Sequence, residues 1–216
     1  MNVRLCLVAL CLSLVAAPAL ALETPELTVG AGFHMLGQFD AAVDLPVVGL
    51  EYGTINIRDS AAYTATLSIP LQARQGGRIE LRYSYQPTRL QFESGGQDTD
   101  LFDLDVHTGV IGFFMERAPA GSTVVPFGGI GLGATWYAPD ADREGETLFT
   151  TTATVGVTKY VNEKLGLTMR ADLLMPIDWS GGAMWIGPGG ANISLAGTSY
   201  LAQIGLGAGL TYRFGR

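Results

Sequence analysis

The chain has very little cysteine, lysine and histidine among its 216 residues. Its two cysteines, Cys6 and Cys11, both lie in the first apolar segment, so the remainder can form neither a disulfide nor a thiolate metal site. The two lysines are Lys159 and Lys164. Because solvent-exposed surfaces normally carry many lysine and glutamate side chains, this scarcity disfavours a water-exposed domain.

Basic charge and long apolar runs are also scarce. The formal net charge is −7 and the pI is near 4.7, which argues against nucleic acid as a partner, because phosphate contacts need a basic surface. The mean hydropathy is nevertheless +0.27, although no helix-length apolar run follows residue 21. Hydrophobicity spread over alternating segments is typical of a membrane β-barrel and not of a helical membrane protein. No motif in the sequence indicates a cofactor.

The first 21 residues have the pattern of a secretory signal peptide. Arg4 precedes an apolar run from Leu5 to Ala17, and the segment ends with an Ala-x-Ala pattern at Ala19–Ala21. These features predict cleavage at the end of that pattern. An uncleaved transmembrane helix is the alternative, but it needs about 20 apolar residues and Pro18 interrupts the run. Residues 22–216 then form a single domain with a net charge of −8, since Arg4 is removed.

The segment from Tyr200 to Phe214 alternates with a period of two. Its even positions are apolar or aromatic, whereas its odd positions are mostly small or polar. This alternation predicts a β-strand with one apolar face. Strands in soluble proteins average about 5–6 residues, while a tilted crossing of a bilayer needs roughly 9–11. The length and the pattern therefore predict a strand that crosses a membrane.

Seven further segments repeat this pattern and predict an all-β, eight-stranded antiparallel up-and-down transmembrane β-barrel. The eight predicted strands are Leu27–Phe39, Tyr63–Ala73, Arg78–Phe92, Leu101–Met115, Val125–Tyr137, Leu148–Tyr160, Leu165–Met175 and Tyr200–Phe214. The long connections fall at one end: residues 40–62, 93–100, 138–147 and 176–199. Because outer-membrane barrels have short periplasmic turns, this end is predicted to be extracellular and both termini periplasmic. The sequence does not decide whether residues 43–58 are strand or loop. As strand, they would extend a hairpin above the membrane.

Aromatic residues of the predicted lipid face fall into two tiers, as expected for the two interfaces of a membrane barrel. The predicted extracellular tier contains Tyr63, Phe102, Trp136, Phe149 and Tyr200. The predicted periplasmic tier contains Phe114, Tyr212 and Phe214. A soluble lipocalin-like barrel, with the apolar rows turned inward, is the competing fold.

The segments Pro126–Trp136, Val161–Arg170 and Gly209–Phe214 resemble those of the small eight-stranded outer-membrane barrels of the OmpA/OmpX/OmpW type. Within the last segment, Gly209, Tyr212 and Phe214 are similar to the assembly signal of that superfamily, although Gly215-Arg216 follow here. The resemblance implies outer-membrane lipids, lipopolysaccharide and the outer-membrane assembly machinery as partners. It implies little about activity, because the scaffold hosts anchors, adhesins, pores and lipid-modifying enzymes.

The lumen of an eight-stranded barrel is just wide enough to be filled by side chains or to hold one small ligand. Its predicted charge network consists of Glu80, Arg82, Asp103, Asp105, His107, Arg170, Asp172 and Arg213, with His34 nearby. Buried opposite charges must pair, so this set predicts a salt-bridged plug. A narrow polar conduit is the alternative, because lumenal glycine leaves space for solutes.

The sequence fits a hydrolase site and a calcium site less well than it fits a scaffold or a pore. A lipid A-modifying hydrolase needs a nucleophile near a base, and the candidate pairs are His34 with Ser68 and His107 with Ser84. Residues 140–145 resemble half of a calcium loop, but position twelve is Thr151 where a glutamate is required. A solvated acidic loop is the better interpretation, and the sequence predicts no metal site and no catalytic residue.

Apolar residues in the last long connection suggest contact with the barrel mouth, lipid headgroups or a partner surface. They are Trp179, Met184, Trp185 and Ile186. The sequence as a whole predicts a Gram-negative outer-membrane protein that is a non-enzymatic scaffold displaying its loops, with an unidentified extracellular ligand. The rivals are a narrow pore for small or hydrophobic solutes and the lipid A-modifying hydrolase.

Overall fold

A computed structural model describes the chain over residues 24–35, 37–45, 49–71, 76–118, 121–140, 145–177, 185–187, 190–192 and 202–215. The predicted signal peptide, residues 1–21, and the predicted rim residue Tyr200 lie outside the described residues. Within these segments no helix has the length and apolar character needed to span a membrane.

Twelve β-strands occur in the described part of the chain. They are β1 (Glu26–Met35), β2 (Gly37–Leu45), β3 (Gly49–Ile57), β4 (Ser60–Pro70), β5 (Gly77–Ser94), β6 (Gln97–Glu116), β7 (Val124–Pro139), β8 (Glu146–Tyr160), β9 (Leu165–Ile177), β10 (Trp185–Gly187), β11 (Gly190–Asn192) and β12 (Gln203–Arg213).

Eight of these described strands close into an antiparallel barrel, which confirms the predicted fold class. Their order around the wall is β5, β4, β1, β12, β9, β8, β7 and β6, and β6 pairs again with β5. The seam between the first and the last strand runs from Glu26 opposite Arg213 to Met35 opposite Ile204. We call the end that holds Glu26 and Arg213 the terminal end, and the opposite end the loop end.

The outer wall of the barrel is apolar. Ile130, Leu210 and Met169 expose 70%, 65% and 63% of their surfaces, whereas the alternate positions carry buried threonine, glycine and charged side chains. This arrangement contradicts the soluble-barrel alternative, which requires the apolar rows to point inward. Apolar residues outside and polar residues inside are the pattern of a barrel that faces lipid.

Strands β5 and β6 are 18 and 20 residues long and extend beyond the rest of the wall at the loop end. They are joined by a tight turn at Gly95 and Gly96, whose φ angles of +59° and +79° favour glycine. The expectation of a polar loop over residues 93–100 is therefore wrong. These residues instead form the tip of a long hairpin.

A second hairpin, β2–β3, occupies much of the expected long connection over residues 40–62. The alternative in which residues 43–58 extend a hairpin above the barrel is the one that the structure adopts. Thr54–Ile57 of β3 pair with Leu90–Glu93 of β5, so the hairpin continues the sheet along the projecting part of β5.

A buried apolar cluster fills the space under these hairpins at the loop end. This loop-end cluster consists of Ile55, Ile57, Leu90, Phe92, Leu104, Val106, Tyr137 and Leu148. Phe102 packs against it, and so does not lie on the outer aromatic tier that the sequence predicted. Phe114 is also buried on the inner side, where its ring meets Phe127 at a centroid distance of 6.4 Å. Both placements correct the predicted tiers.

Candidate functional site

A network of charged side chains spans the middle of the lumen from one wall to the other. Strands β5 and β9 are separated by three strands in either direction around the wall, so they lie opposite each other. Arg82 of β5 donates a hydrogen bond to Asp172 of β9. A second pair crosses beside it, with Arg170 Nη2 of β9 lying 3.6 Å from Glu80 Oε2 of β5. We call these four residues the cross-lumen network.

Neighbouring side chains hold the cross-lumen network in place. Thr154 Oγ1 donates to Asp172 Oδ1 at 2.5 Å, and Arg170 Nε donates to Asp172 Oδ2 at 3.2 Å. Arg170 Nη1 donates to Thr66 Oγ1 at 3.3 Å. The side chains of Arg170 and Asp172 are only 7% and 6% exposed. An isolated buried charge is costly, so the opposite charges stabilise each other only as a set.

Two further ion pairs lie towards the terminal end. Arg78 Nη2 contacts Glu80 Oε1 at 2.6 Å, and Arg78 Nη1 contacts Glu116 Oε2 at 2.8 Å. The Arg78 guanidinium also lies 4.4 Å from the centroid of the Phe127 ring. Sequence reasoning missed Arg78 as a partner of Glu80, although both occupy inward positions of the same alternating strand.

Arg213 belongs to a separate group at the terminal end and does not reach the cross-lumen network. Arg213 Nη2 lies 2.7 Å from Glu26 Oε1, which also accepts a 2.5 Å hydrogen bond from the Tyr160 hydroxyl. The Arg213 guanidinium lies 4.1 Å from the centroid of the Tyr160 ring. We call Glu26, Tyr160 and Arg213 the terminal clasp, because they join the first, last and eighth strands in chain order.

Hydrogen-bonded threonines line other parts of the lumen. One chain of hydroxyls runs through Thr28, Thr211, Thr168 and Thr158, with successive oxygen separations of 2.8, 2.5 and 2.8 Å. A second chain joins Thr108, Thr135 and Thr150. A hydroxyl both donates and accepts, so such chains satisfy buried polar groups without adding charge.

His34 lies in the lumen beside this network. Its Nδ1 donates to Gln86 Oε1 at 3.1 Å, and Gln86 Nε2 donates to Ser60 Oγ at 3.0 Å. Ser68, the predicted partner of His34 in a hydrolase, instead donates to Glu80 Oε1 at 3.3 Å. The other predicted pair is separated by the wall itself, because Ser84 faces the lumen and His107 faces outward.

The structure corrects the predicted positions of Asp103, Asp105 and His107. On β6 the inward side chains are those of the even positions, including the buried Leu104, Val106 and Val110. Asp103, Asp105 and His107 therefore lie on the outer face. Arg89 Nε donates to Asp103 Oδ1 at 2.6 Å there, and the Tyr85 hydroxyl donates to Asp105 Oδ1 at 2.9 Å.

These three side chains face outward because β6 extends beyond the apolar wall. Its loop-end part borders the loop-end cluster, so apolar residues face inward and polar residues face outward, as in a water-exposed sheet. Nearer the terminal end, Ile111 and Phe113 face outward while Val110 and Phe114 face inward, so apolar residues occupy both faces. The rule that apolar residues face lipid therefore predicts the wrong orientation for the side chains of β6.

The outer face beside β6 carries charge at the loop end. Arg89 Nη1 donates to Asp100 Oδ2 at 3.0 Å, and Gln91 Nε2 donates to Asp100 Oδ1 at 2.5 Å. These hydrogen bonds, from Gln91 first and then Arg89, lower the pKa of the Asp100 carboxyl below its ordinary value. The side chains form an exposed polar rim above the apolar wall.

No group of three or more histidine, cysteine, aspartate or glutamate side chains is placed to hold a metal ion among the described residues. The calcium-like segment lies mostly outside them, since residues 141–144 are not described. Trp179 and Met184 of the last long connection also lie outside the described residues, while Trp185 and Ile186 are placed only as part of β10.

The space left beside the cross-lumen network is small. A cavity bordered by Arg170, Asp172 and the glycines of the β1–β12 seam has a volume of about 20 Å³. A water molecule needs at least about 10–15 Å³ measured in this way, so the cavity accommodates roughly one water. This cavity is therefore too small for a solute larger than water.

Comparison with solved structures finds the same barrel in proteins of low sequence identity. The outer-membrane protein OprG from Pseudomonas aeruginosa matches with a TM-score of 0.62 at 14% identity, covering 90% of this chain and 98% of that chain. Neisserial surface protein A (NspA) matches with a TM-score of 0.56 at 11% identity, covering 88% and 97%. The outer-membrane protein AlkL, in DMPC lipid bilayers, matches with a TM-score of 0.51 at 13% identity, covering 93% and 95%.

The chain has the fold of the small eight-stranded outer-membrane β-barrels. No protein-family profile matches the sequence, and no curated protein matches it significantly.

The three residues of the predicted assembly signal occupy the last strand of this barrel and its end. Tyr212 and Phe214 point outward at the terminal end, where their rings meet edge to face at a centroid distance of 5.1 Å. Gly209 lies at the seam, where an added Cβ would come within 2.7 Å of the Val29 carbonyl oxygen. Glycine therefore allows the first and last strands to approach closely.

Proposed function

We propose that the protein is a Gram-negative outer-membrane β-barrel that acts as a non-enzymatic scaffold. In this proposal both termini are periplasmic, the loop end is extracellular, and the two projecting hairpins are the displayed surface. Outer-membrane lipids, lipopolysaccharide and the assembly machinery are the partners. The apolar outer wall and the similarity in fold to outer-membrane proteins support this location.

The observation that carries the proposal is the pairing of Arg82 with Asp172 and of Arg170 with Glu80 across the lumen. These pairs put charged side chains in the path that a solute would take. The loop-end cluster adds an apolar layer beyond them, with Ile55 and Leu90 at 0% and 2% exposure. A charge network followed by a packed apolar layer supports a closed lumen.

Conductance across a planar bilayer tests the closed lumen. The folded wild-type protein is expected to give no stable channel. The double variant Arg170→Ala with Phe92→Ala is expected to give measurable leakage, because it removes a side chain from the charge network and one from the apolar layer beyond it. Val161→Ala, at an exposed position of a terminal-end turn, is the matched control. Steady unitary conductance of the wild type would favour the narrow pore, and release of acyl chains from added lipid A would favour the hydrolase.

The mature chain offers a clean test of location and orientation, because both native cysteines lie in the predicted signal peptide. Asp98→Cys places a thiol near the tip of the β5–β6 hairpin, and Glu163→Cys places one in a terminal-end turn. Both positions are exposed. A membrane-impermeant maleimide is expected to label the first variant in intact cells and the second only after the outer membrane is permeabilised. The reverse pattern would overturn the orientation.

A further inference from the structure

Four ring-bearing side chains lie in register with one another on the outer wall at the loop end. Tyr63 of β4 is in register with Tyr85 of β5, which is in register with His107 of β6, which is in register with Trp136 of β7. The His107 ring lies 5.1 Å from both the Tyr85 ring and the Trp136 ring, measured between centroids. We call these four residues the aromatic row.

Apolar side chains lie on the terminal-end side of the aromatic row. Leu81, Ile111 and Leu132 are in register with one another and are exposed on the outer wall. Between them and the aromatic row, Gly109 leaves an open notch, since a Cβ built there meets no atom within 4 Å. This part of the wall suits hydrocarbon chains.

A polar cleft lies on the other side of the aromatic row. It has a volume of about 590 Å³, and its lining includes Arg58, Thr88, Arg89, Asp103, Asp105 and Asp140. Its carboxylates outnumber its guanidinium groups, and Arg89 is already paired with Asp103. An unaccompanied anion is therefore disfavoured in this cleft, whereas neutral hydroxyl groups find many acceptors.

The order of these surfaces matches one class of amphiphile. A lipid that carries sugar presents hydrocarbon chains, then ring faces rich in C–H groups, then hydroxyl groups. The C–H face of a sugar packs on the electron-rich face of an aromatic ring, and hydroxyls donate to carboxylates. The cleft volume falls in the range of about 300–1,000 Å³ that is typical of small-molecule sites.

We infer that the outer face of β4–β7 binds the sugar headgroup of a glycolipid in the outer leaflet, with its ring faces on the aromatic row and its hydroxyls in the polar cleft. This inference rests on the proposed outer-membrane location. The hydrocarbon chains then lie along the apolar wall below the row, and the notch at Gly109 accommodates the junction between chains and headgroup.

Fluorescence of Trp136 gives a direct readout of this site. The double substitution Trp179→Phe and Trp185→Phe leaves Trp136 as the sole tryptophan of the chain. The protein is placed in phosphatidylcholine nanodiscs in a buffer that contains Mg²⁺, so that the phosphate groups of lipid A are accompanied by a cation. It is titrated with lipid A, with the neutral glycolipid digalactosyldiacylglycerol, or with phosphatidylglycerol. Both glycolipids are expected to produce a saturable change, and phosphatidylglycerol none.

Substitutions then locate the site. Tyr85→Ala removes a ring of the row, and Gly109→Val adds a side chain in the notch, where a Cβ meets nothing within 4 Å. Each substitution is expected to weaken glycolipid binding roughly three- to tenfold. Phe149→Ala removes an outward aromatic ring of β8 that is outside the row, and it should leave binding unchanged. The electrophoretic mobility of unboiled and boiled samples checks that every variant is folded.

Three results would overturn the inference: an equal response to phosphatidylglycerol, no response to either glycolipid, or the same response to a free disaccharide in solution. The nanodisc titration does not depend on where the protein resides in a cell. Failure of the cysteine-labelling test would therefore reject the proposed location separately, and failure of the titration would reject only the glycolipid site.

Discussion

Arg82 and Asp172 are hydrogen-bonded to each other across the lumen, although their strands lie on opposite walls of the barrel. The bond is not part of the β-sheet ladder, so it fixes the distance between two walls that the backbone pairing alone leaves free to adjust. The charged side chains of the lumen therefore contribute to the shape of the barrel.

Removing one partner of this pair should lower the free energy of unfolding more than removing both partners does. Asp172→Ala leaves Arg82 and part of Arg170 without an opposite charge, and should lower the free energy of unfolding by about 3–5 kcal/mol. The double variant Arg82→Met with Asp172→Leu replaces the pair by apolar side chains and should recover part of that loss, because Arg170 still keeps Glu80 as an opposite charge. Urea unfolding in detergent micelles measures both. Equal losses in the single and double variants would contradict the role of the pair.

Two neighbouring glycines on adjacent strands, Gly109 of β6 and Gly133 of β7, should respond oppositely to substitution; they pair with Ala134 and Val110, respectively. A Cβ at the inward Gly133 would overlap the Gly109 carbonyl oxygen, whereas a Cβ at the outward Gly109 meets nothing within 4 Å. Gly133→Ala should therefore destabilise the barrel by about 1–3 kcal/mol or prevent its folding. Gly109→Ala should fold normally. The folded fraction on unboiled gels distinguishes them, and equal behaviour would contradict the described register.

The terminal clasp should stabilise the closed barrel. Glu26→Ala removes the acceptor of both Arg213 and Tyr160, and should lower the free energy of unfolding by about 1.5–3 kcal/mol. Tyr160→Phe removes one hydrogen bond but retains the ring beneath Arg213, so its effect should be smaller. Urea unfolding measures both, and an equal loss in the two variants would show that the ion pair contributes nothing.

The loop-end cluster should hold the projecting hairpins independently of the membrane-facing wall. Phe92→Ala creates a cavity among Ile55, Leu90 and their neighbours, and should cost about 3–5 kcal/mol in that region. Hydrogen exchange should then quicken in β2, β3 and the loop-end halves of β5 and β6. Exchange in β8, β9 and β12 should stay slow. Uniformly faster exchange would contradict a separate loop-end unit.

Much of the barrel could be predicted from sequence because a lipid-facing wall imposes one rule on every strand. In β8, β9 and β12, threonine, glycine or charged residues alternate with apolar ones, so Thr154, Asp172 and Arg213 can be assigned to the lumen directly. The rule fails where a strand leaves that environment. On β6 it placed His107 inside the barrel, because its loop-end half follows the opposite rule.

The pairings inside the lumen could not be predicted in the same way. Which of the inward charges meet depends on the stagger of the strands and on closure of the barrel, and neither is encoded in the alternation of a single strand. Glu80 and Arg82 could be assigned to the lumen, but not their contacts with Arg170 and Asp172. The β5–β6 turn did carry a local signal, since adjacent glycines such as Gly95 and Gly96 are typical of a tight hairpin.

The seam between β1 and β12 has a consequence for biogenesis. Glu26 and Arg213 are separated by 187 positions in sequence, yet they meet in the finished wall. A partly delivered chain that lacks β12 therefore has two unpaired strand edges, each able to pair with another polypeptide. The chain is thus most exposed to wrong pairing until the last strand is in place, and truncations within β12 should yield aggregates instead of a smaller barrel.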